Sequence, residues 1–518
     1  MRKLILVVLM FIMFACTLGQ TPPKQSASAP TEANATSAPQ PTDTQVAESA
    51  TTNPSAIQSG PRRPRGIYAV VRVEEYIKQF QKTNSSNLDA QFNSLYQSLL
   101  SNPAIAGITL QVQWDTLNPN PPSSANAYDW SSVDDAFTQA TAGKTVQLIV
   151  TPGFNSPQWV MNQIPSCDGL FQSPAQTPPR NCGKATFIGF TEGGGGVLPL
   201  PWNPFYKSAW QTFLMALAAR YGSNPAFVSI AVAGPTAASA EMIMPNDNNS
   251  TNPQTQFGTA ISPTNMWLKL LAFHYSGMAA YQNSDQAFID EWNSAIDIYG
   301  KIFNNVTLVA TTGSGLPKLS RTGFTIPTAF NGDCKNPDMD CAAETTILSH
   351  FVDSTVAGND AKATQTSGME ASRVNGLNLG VVSVKLLSQR TAQLKTPSAQ
   401  ILGGAQFNTS FSNDAVAEGC ATKDGCANGI SPEQAEYSVL NVFFDGTAVA
   451  SSFGGTTSNA PLNYLQIYAP DIQYATAHIN DPAQVIKTDG TSVMMTAQDL
   501  LNLANQKLLQ IAETSPAP

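Results

Sequence analysis

Short apolar runs alternate along this chain with segments whose apolar residues recur every three or four positions. The runs Ile67 to Val73, Ile108 to Trp114 and Val146 to Thr151 read as the first three strands. The third is apolar almost throughout, as a strand covered on both faces should be. Between them, Asn87 is placed to cap a helix whose Leu88, Phe92, Leu95 and Leu99 share one face, and Trp130 to Ala142 buries Val133, Phe137 and Ala140. The alternation continues with a helix over Phe205 to Tyr221, a fourth strand over Phe227 to Ala233, a helix behind Ser284, and a fifth strand over Val306 to Ala310. Leu377 to Val384 and Ile401 to Gln406 are the expected sixth and seventh strands. A helix from Pro432 to Phe444 leads to the eighth, Tyr464 to Tyr468, and Thr496 caps a last helix. Eight strands with helices between them predict an α/β fold of the (β/α)8 TIM-barrel type. The runner-up, an open doubly wound sheet, lacks a Gly-rich phosphate loop after its first strand, and the Gly193 to Gly196 run follows no strand. Long segments follow strands three, four, five and seven. In a barrel such loops form the functional face.

The N-terminus changes the picture from a fold to an exported protein. Arg2 and Lys3 precede an apolar run from Leu4 to Ala15, too short to span a bilayer and suited to a signal peptide over residues 1–15. Met13-Phe14-Ala15-Cys16 resembles a bacterial lipoprotein box, which implies that Cys16 carries lipid and anchors the chain to a membrane. Ordinary secretion is the alternative. Residues 16–65 are mostly Thr, Ser, Pro, Ala and Gln. They hold too little apolar surface to offset the entropy of ordering, so a tether is expected before a domain over 66–518.

Composition narrows the partner. The chain is 42% hydrophobic but only 12% charged, with a net charge of −9 and no basic patch, which argues against nucleic acid. Polarity carried by amides and hydroxyls suits a polysaccharide or oligosaccharide. Beyond Cys16, six cysteines fall into three local pairs: Cys167 with Cys182, Cys334 with Cys341, and Cys420 with Cys426. In an exported chain such pairs suggest disulfides that staple loops, although sequence leaves the connectivity open. No pair has zinc-knuckle spacing and no histidine stands beside one in sequence, so no metal and no cofactor is expected. His274, His350 and His478 lie far apart, and no G-x-S-x-G elbow supports serine catalysis.

Three segments carry a family likeness. GITLQVQWDTLNP at Gly107 to Pro119, YDWSSVDDAF at Tyr128 to Phe137 and VQLIVTPGFNSPQWV at Val146 to Val160 resemble the early strands of glycoside hydrolase clan A barrels, including beta-galactosidase-like and cellulase-like families. LNYLQIYAPDI at Leu462 to Ile472 resembles their last strand. The resemblance implies a retaining glycosidase with one Glu after strand four as acid/base and one Glu ending strand seven as nucleophile, about 5–5.5 Å apart. Strand four here ends without Asn-Glu, and the nearest carboxylate is Glu241, the expected acid/base. Gln406 stands where the nucleophile is expected, which suits a site that orients a substrate amide or water, or that binds sugar without cutting it. Asp471, after strand eight, is the best placed further carboxylate. Trp114, Trp159, Trp202 and Tyr468 are candidates for stacking on sugar rings, with loop-core packing as the alternative for each. Arg72, ending strand one, is placed to hold a hydroxyl or carboxylate, or to form a structural ion pair. The leading expectation is an extracellular glycosidase; its rivals are a catalytically lapsed carbohydrate-binding surface lipoprotein on the same scaffold and a tethered envelope protein with a structural role.

Overall fold

The computed structural model describes residues 62–317 apart from 84–86, 142, 191–193, 251–256, 259–260 and 283. It also describes strands at 362–369, 371–374, 377–380, 401–407, 420–422 and 425–426, then 462–514 apart from 488, and scattered positions within 319–351 and 431–440. The expected signal segment, Cys16, most of the tether, Cys334 and Cys341 lie outside these residues.

Eight strands build the centre: β1 Gly66–Arg72, β2 Ile105–Gln113, β3 Thr145–Thr151, β4 Phe227–Ala231, β5 Thr307–Gly315, β6 Lys362–Met369, β7 Ile401–Phe407 and β8 Leu462–Tyr468. Each pairs in parallel with the next. β8 in turn pairs with β1, so the parallel sheet curls until its pairings return to the start. A short strand, Glu241–Ile243, adds to the far end of β5 through Glu241 opposite Thr311.

The described helices are α1 Val73–Lys82, α2 Leu88–Ser101, α3 Trp114–Leu117, α4 Ser131–Gln139, α5 Gln158–Gln163, α6 Pro204–Tyr221, α7 Pro263–His274, α8 Gln286–Ile302, α9 Ala469–Ala477 and α10 Ala497–Thr514. Side chains start several of them by taking an otherwise orphaned backbone N–H. Asn87 Oδ1 accepts from Ala90 N at 3.0 Å, and Asn203 Oδ1 from Tyr206 N at 3.0 Å with Pro204 in the first turn. Thr496 and Asp499 bond each other's backbone at 2.9 and 3.1 Å, a reciprocal cap before α10.

Two apolar regions result. The larger lies between strands and helices and takes in Phe92, Leu99, Val112, Trp114, Phe213, Trp292 and Leu500. The smaller holds Tyr68, Val228, Val309 and Tyr464, from four different strands, with Tyr68 and Tyr464 meeting edge to face at 6.2 Å. It fills one end of the ring's interior. Polar side chains of β2, β3 and β8 also meet: Gln147 Oε1 accepts from Thr109 Oγ1 at 2.6 Å and from Gln466 Nε2 at 2.7 Å.

Two expectations change. Leu377 to Val384 is not the sixth barrel strand: Leu377–Gly380 pairs antiparallel with Ala371–Val374 in a separate hairpin, and Lys362–Met369 takes the place between β5 and β7. The range expected for the tether also overlaps the described residues, which begin at Arg62. Arg62 N donates to Asn305 O at 3.1 Å, Thr307 N donates to Arg62 O at 3.2 Å, and the Arg62 guanidinium reaches the carbonyls of Gly222 and Asn224. The chain therefore engages the starts of β4 and β5 before entering β1. Arg62→Ala is expected to cost about 1–2 kcal/mol, because the carbonyls of Asn305, Asn224 and Gly222 lose a charged donor. A fall in the urea midpoint at unchanged slope would show it.

Candidate functional site

The C-terminal ends of β1, β7 and β8 bring three side chains onto one phenol. Arg72 Nη2 donates to Tyr468 Oη at 2.7 Å, and Gln406 Nε2 lies 3.4 Å from the same oxygen. The guanidinium also sits 4.7 Å from the Tyr468 ring centre and pairs with Glu75 at 3.1 Å. Tyr468 and Gln406 are each 7% exposed, whereas Glu75 is largely in solvent. Burial pushes the Tyr468 phenol up; Arg72 opposes this, and the charges of Glu241 and Glu75 add to it. Burial also works against the Arg72 charge, but Tyr468 and Glu75 outweigh it and hold the guanidinium above its ordinary range. Glu241 thus belongs electrostatically to the mouth formed by Arg72, Gln406 and Tyr468.

The loop carrying Glu241 is held from three sides. Trp292 Nε1 donates to Pro235 O at 3.0 Å, Phe154 N to Ala237 O at 2.6 Å, and Ala237 N to Ile243 O at 2.8 Å. Gly153 makes the second contact possible. Its φ is +73°, and a Cβ there would stand 2.2 Å from Ala237 O. Glu241 is half-buried, and its own N–H donates to Ser239 Oγ at 3.1 Å.

The other sequence candidates lie elsewhere. Trp114 is 0% exposed and packs against Trp210, Tyr206 and Phe213, so no sugar can reach it. Its place after a strand matched the family pattern, but the ring turns into the helix layer. Trp202 meets Trp267, His274, Tyr275 and Phe288, the packing of a loop core. Trp159 is half-buried, edge-on to Phe205, with Nε1 donating to Asn118 O at 3.0 Å.

Asp471, 4% exposed in the first turn of α9, adds its charge to the rise of the Tyr76 phenol of α1 and of the Glu436 carboxyl. Glu433, nearby, accepts from Tyr474 Oη at 3.0 Å. Burial, then the charges of Asp471 and Glu433, push the Glu436 carboxyl well above its ordinary range, so the folded chain keeps its proton to higher pH than the unfolded chain does. Its contribution to stability is present below the unfolded carboxyl pKa and is lost as pH rises towards the folded one. Glu436→Gln should therefore gain about 1 kcal/mol or more at pH 7 and nothing near pH 4, measured by urea unfolding at both.

Sequence reasoning missed Glu75, the second carboxylate bearing on Tyr468. Its only signal was its place three residues after Arg72 on a helix that starts directly from the strand. A cavity enclosing about 460 Å³, open solvent included, lies between α6 and α8 and is walled by Trp210, Ala233, Pro235, Glu291 and Tyr299. None of the expected site residues lines it.

Of the three expected disulfides, Cys167–Cys182 is formed. Cys420 and Cys426 are register partners in a small antiparallel hairpin. The first pair has a neighbour that the sequence hid: His274, at the end of α7, puts Nε2 3.7 Å from Cys167 Sγ and 3.9 Å from Cys182 Sγ. Burial lowers its pKa to about 4. The expectation that no histidine stands beside a cysteine pair holds along the chain and fails in space.

No protein-family model matches the sequence, and no curated protein matches it. Among solved structures, the catalytic domain of a beta-amylase from Paenibacillus polymyxa is 11% identical, with 88% of this chain and 100% of that chain covered at a TM-score of 0.41. A thermostable mutant of a xylanase from Cellvibrio japonicus is 9% identical, with 87% and 97% covered at 0.38. An endo-beta-1,4-glucanase from Xanthomonas axonopodis pv. citri is 11% identical, with 86% and 99% covered at 0.35. The fold assignment rests on the strand pairings alone.

Proposed function

We propose that this chain is an exported protein, held at the cell envelope through Cys16 or secreted, that binds a neutral glycan at the C-terminal mouth of a glycosidase-like barrel whose nucleophile has been lost. The observation that carries this reading is Gln406. It sits buried at the end of β7 beside Tyr468, where the retaining mechanism calls for a carboxylate. An amide cannot attack a sugar carbon, but it supplies both a donor and an acceptor for hydroxyls. Arg72 adds fixed donors, Glu241 an acceptor and Tyr468 a ring. Such a set recognises hydroxyls without needing to break a bond.

A second reading, hydrolysis by a retaining mechanism, draws on Glu75. Its charge and that of Glu241 both raise the Tyr468 phenol, which supports two carboxylates within electrostatic reach of one group. Glu75 is exposed and paired with Arg72, which suits it to holding the guanidinium better than to attack.

The purified chain and Glu241→Gln should be compared on a panel of insoluble polysaccharides and chromogenic glycosides. The expected result is retention on one glycan class without turnover, weakened about tenfold by the substitution. Turnover lost in Glu241→Gln would replace this reading with the second. Neither retention nor turnover would end both.

A further inference from the structure

We propose that Cys167, Cys182 and His274 form a two-state site: a disulfide when oxidised, and a thiolate–imidazole site for a zinc-type divalent cation when reduced. One ligand atom from each lies within 4.8 Å of the others. Tetrahedral zinc with Zn–S of about 2.3 Å and Zn–N of about 2.0–2.1 Å requires N···S separations of about 3.6 Å. The observed Nε2···Sγ distances of 3.7 and 3.9 Å are already close to that. The imidazole therefore needs almost no movement. The two sulfurs must part by about 2 Å, the difference between a bonded pair and two ligands of one metal. Their Cα atoms are 5.2 Å apart, so rotation of the cysteine side chains can supply this.

The three ligands come from separate segments. Cys167 opens the turn Asp168–Phe171 in the loop after β3, Cys182 precedes the strand Lys184–Ile188, and His274 ends α7. The disulfide joins the first two; the metal state would join all three and tie the loop to the helix. Both cysteines are buried, at 0% and 1% exposure, whereas His274 is half-exposed and leaves a path for a cation and a fourth, water ligand. Two thiolates and an imidazole favour zinc-type over hard cations such as magnesium or calcium.

The reduced state is reached by a balanced exchange. A phosphine opens the bond: phosphorus takes the oxygen of water to become the phosphine oxide, and the two sulfurs take two electrons and two protons as thiols. Metal capture then releases those two protons.

The test uses the full chain, reduced anaerobically with tris(2-carboxyethyl)phosphine and titrated with Co²⁺ as the spectroscopic probe. The reduced chain should show tetrahedral Co²⁺ absorption with thiolate charge transfer, displaced by Zn²⁺. The oxidised chain should show none. His274→Ala should weaken Co²⁺ binding at least tenfold in the reduced chain, and Cys167→Ser with Cys182→Ser should abolish it, each variant being checked for native circular dichroism. Equal binding by reduced wild type and either variant would overturn the proposal. So would binding by the oxidised chain, no binding by a folded reduced chain, or a disulfide that opens only when the fold is lost. If the cysteine variant does not fold, His274→Ala decides the outcome, because it leaves the disulfide intact.

Discussion

Gly107→Ala is expected to be among the most damaging single-methyl additions to this fold, costing about 3–5 kcal/mol, above the usual range for overpacking. Gly107 pairs with Tyr68 on β1 and with Thr145 on β3. A Cβ at this position would lie 2.1 Å from Thr145 O and 2.7 Å from the Tyr68 ring. Neither neighbour can yield alone. Thr145 O is backbone within the sheet. The Tyr68 ring is 1% exposed, pinned by its hydroxyl to Thr145 Oγ1 at 2.8 Å and edge-on to Tyr464. Relief would mean splitting β2 from a neighbour, which breaks the ring of parallel pairings at its best-packed side. Since domains of ordinary stability have about 5–15 kcal/mol in total, the variant should lose most of its urea midpoint and much of its soluble yield. A midpoint within error of wild type would mean that β2 does not run between β1 and β3 at this register.

The same glycine shows what a sequence does and does not disclose. Strands β1, β2, β3, β4 and β8 were legible because helices cover their outer faces, and burial there demands apolar residues. β6 was not. KATQTSGM has small and polar residues at almost every position, so it offers no apolar run of the kind that Leu377 to Val384 shows. Inside the ring, Gln147 Oε1 is satisfied by Thr109 and Gln466, while Gln147 Nε2 is buried without a hydrogen-bond partner. The mouth was partly legible for the same geometric reason. Residues ending parallel strands share one end of the sheet, so Arg72, Gln406 and Tyr468 could be grouped without coordinates. What the sequence could not give is the side to which a residue just past a strand turns. Trp114 follows a strand end, yet its ring faces the helix layer. The Cys167–Cys182–His274 grouping was hidden more simply, because 92 residues separate Cys182 from His274.

If the mouth is a lapsed glycosidase site, Gln406→Glu should produce hydrolysis of the glycan that the wild type only retains. Gln406 Nε2 already lies 3.4 Å from Tyr468 Oη, and Glu241 acts on that same phenol. A carboxylate at 406 would therefore complete a pair facing one region, with Arg72 donating to the shared tyrosine at 2.7 Å. Burial at 7% exposure would raise the new carboxyl, and the guanidinium would offset part of that rise, so the variant should be active only above the pH at which the group ionises. Turnover at least about 10²-fold above wild type is the expected scale for a restored group of this kind. Adding Glu241→Gln to the variant should remove the activity, which would show that both carboxylates take part. A Gln406→Glu chain that still folds and still binds the glycan but does not cleave it would mean that the two carboxylates are not spaced for displacement. The mouth would then be a binding site with no glycosidase behind it.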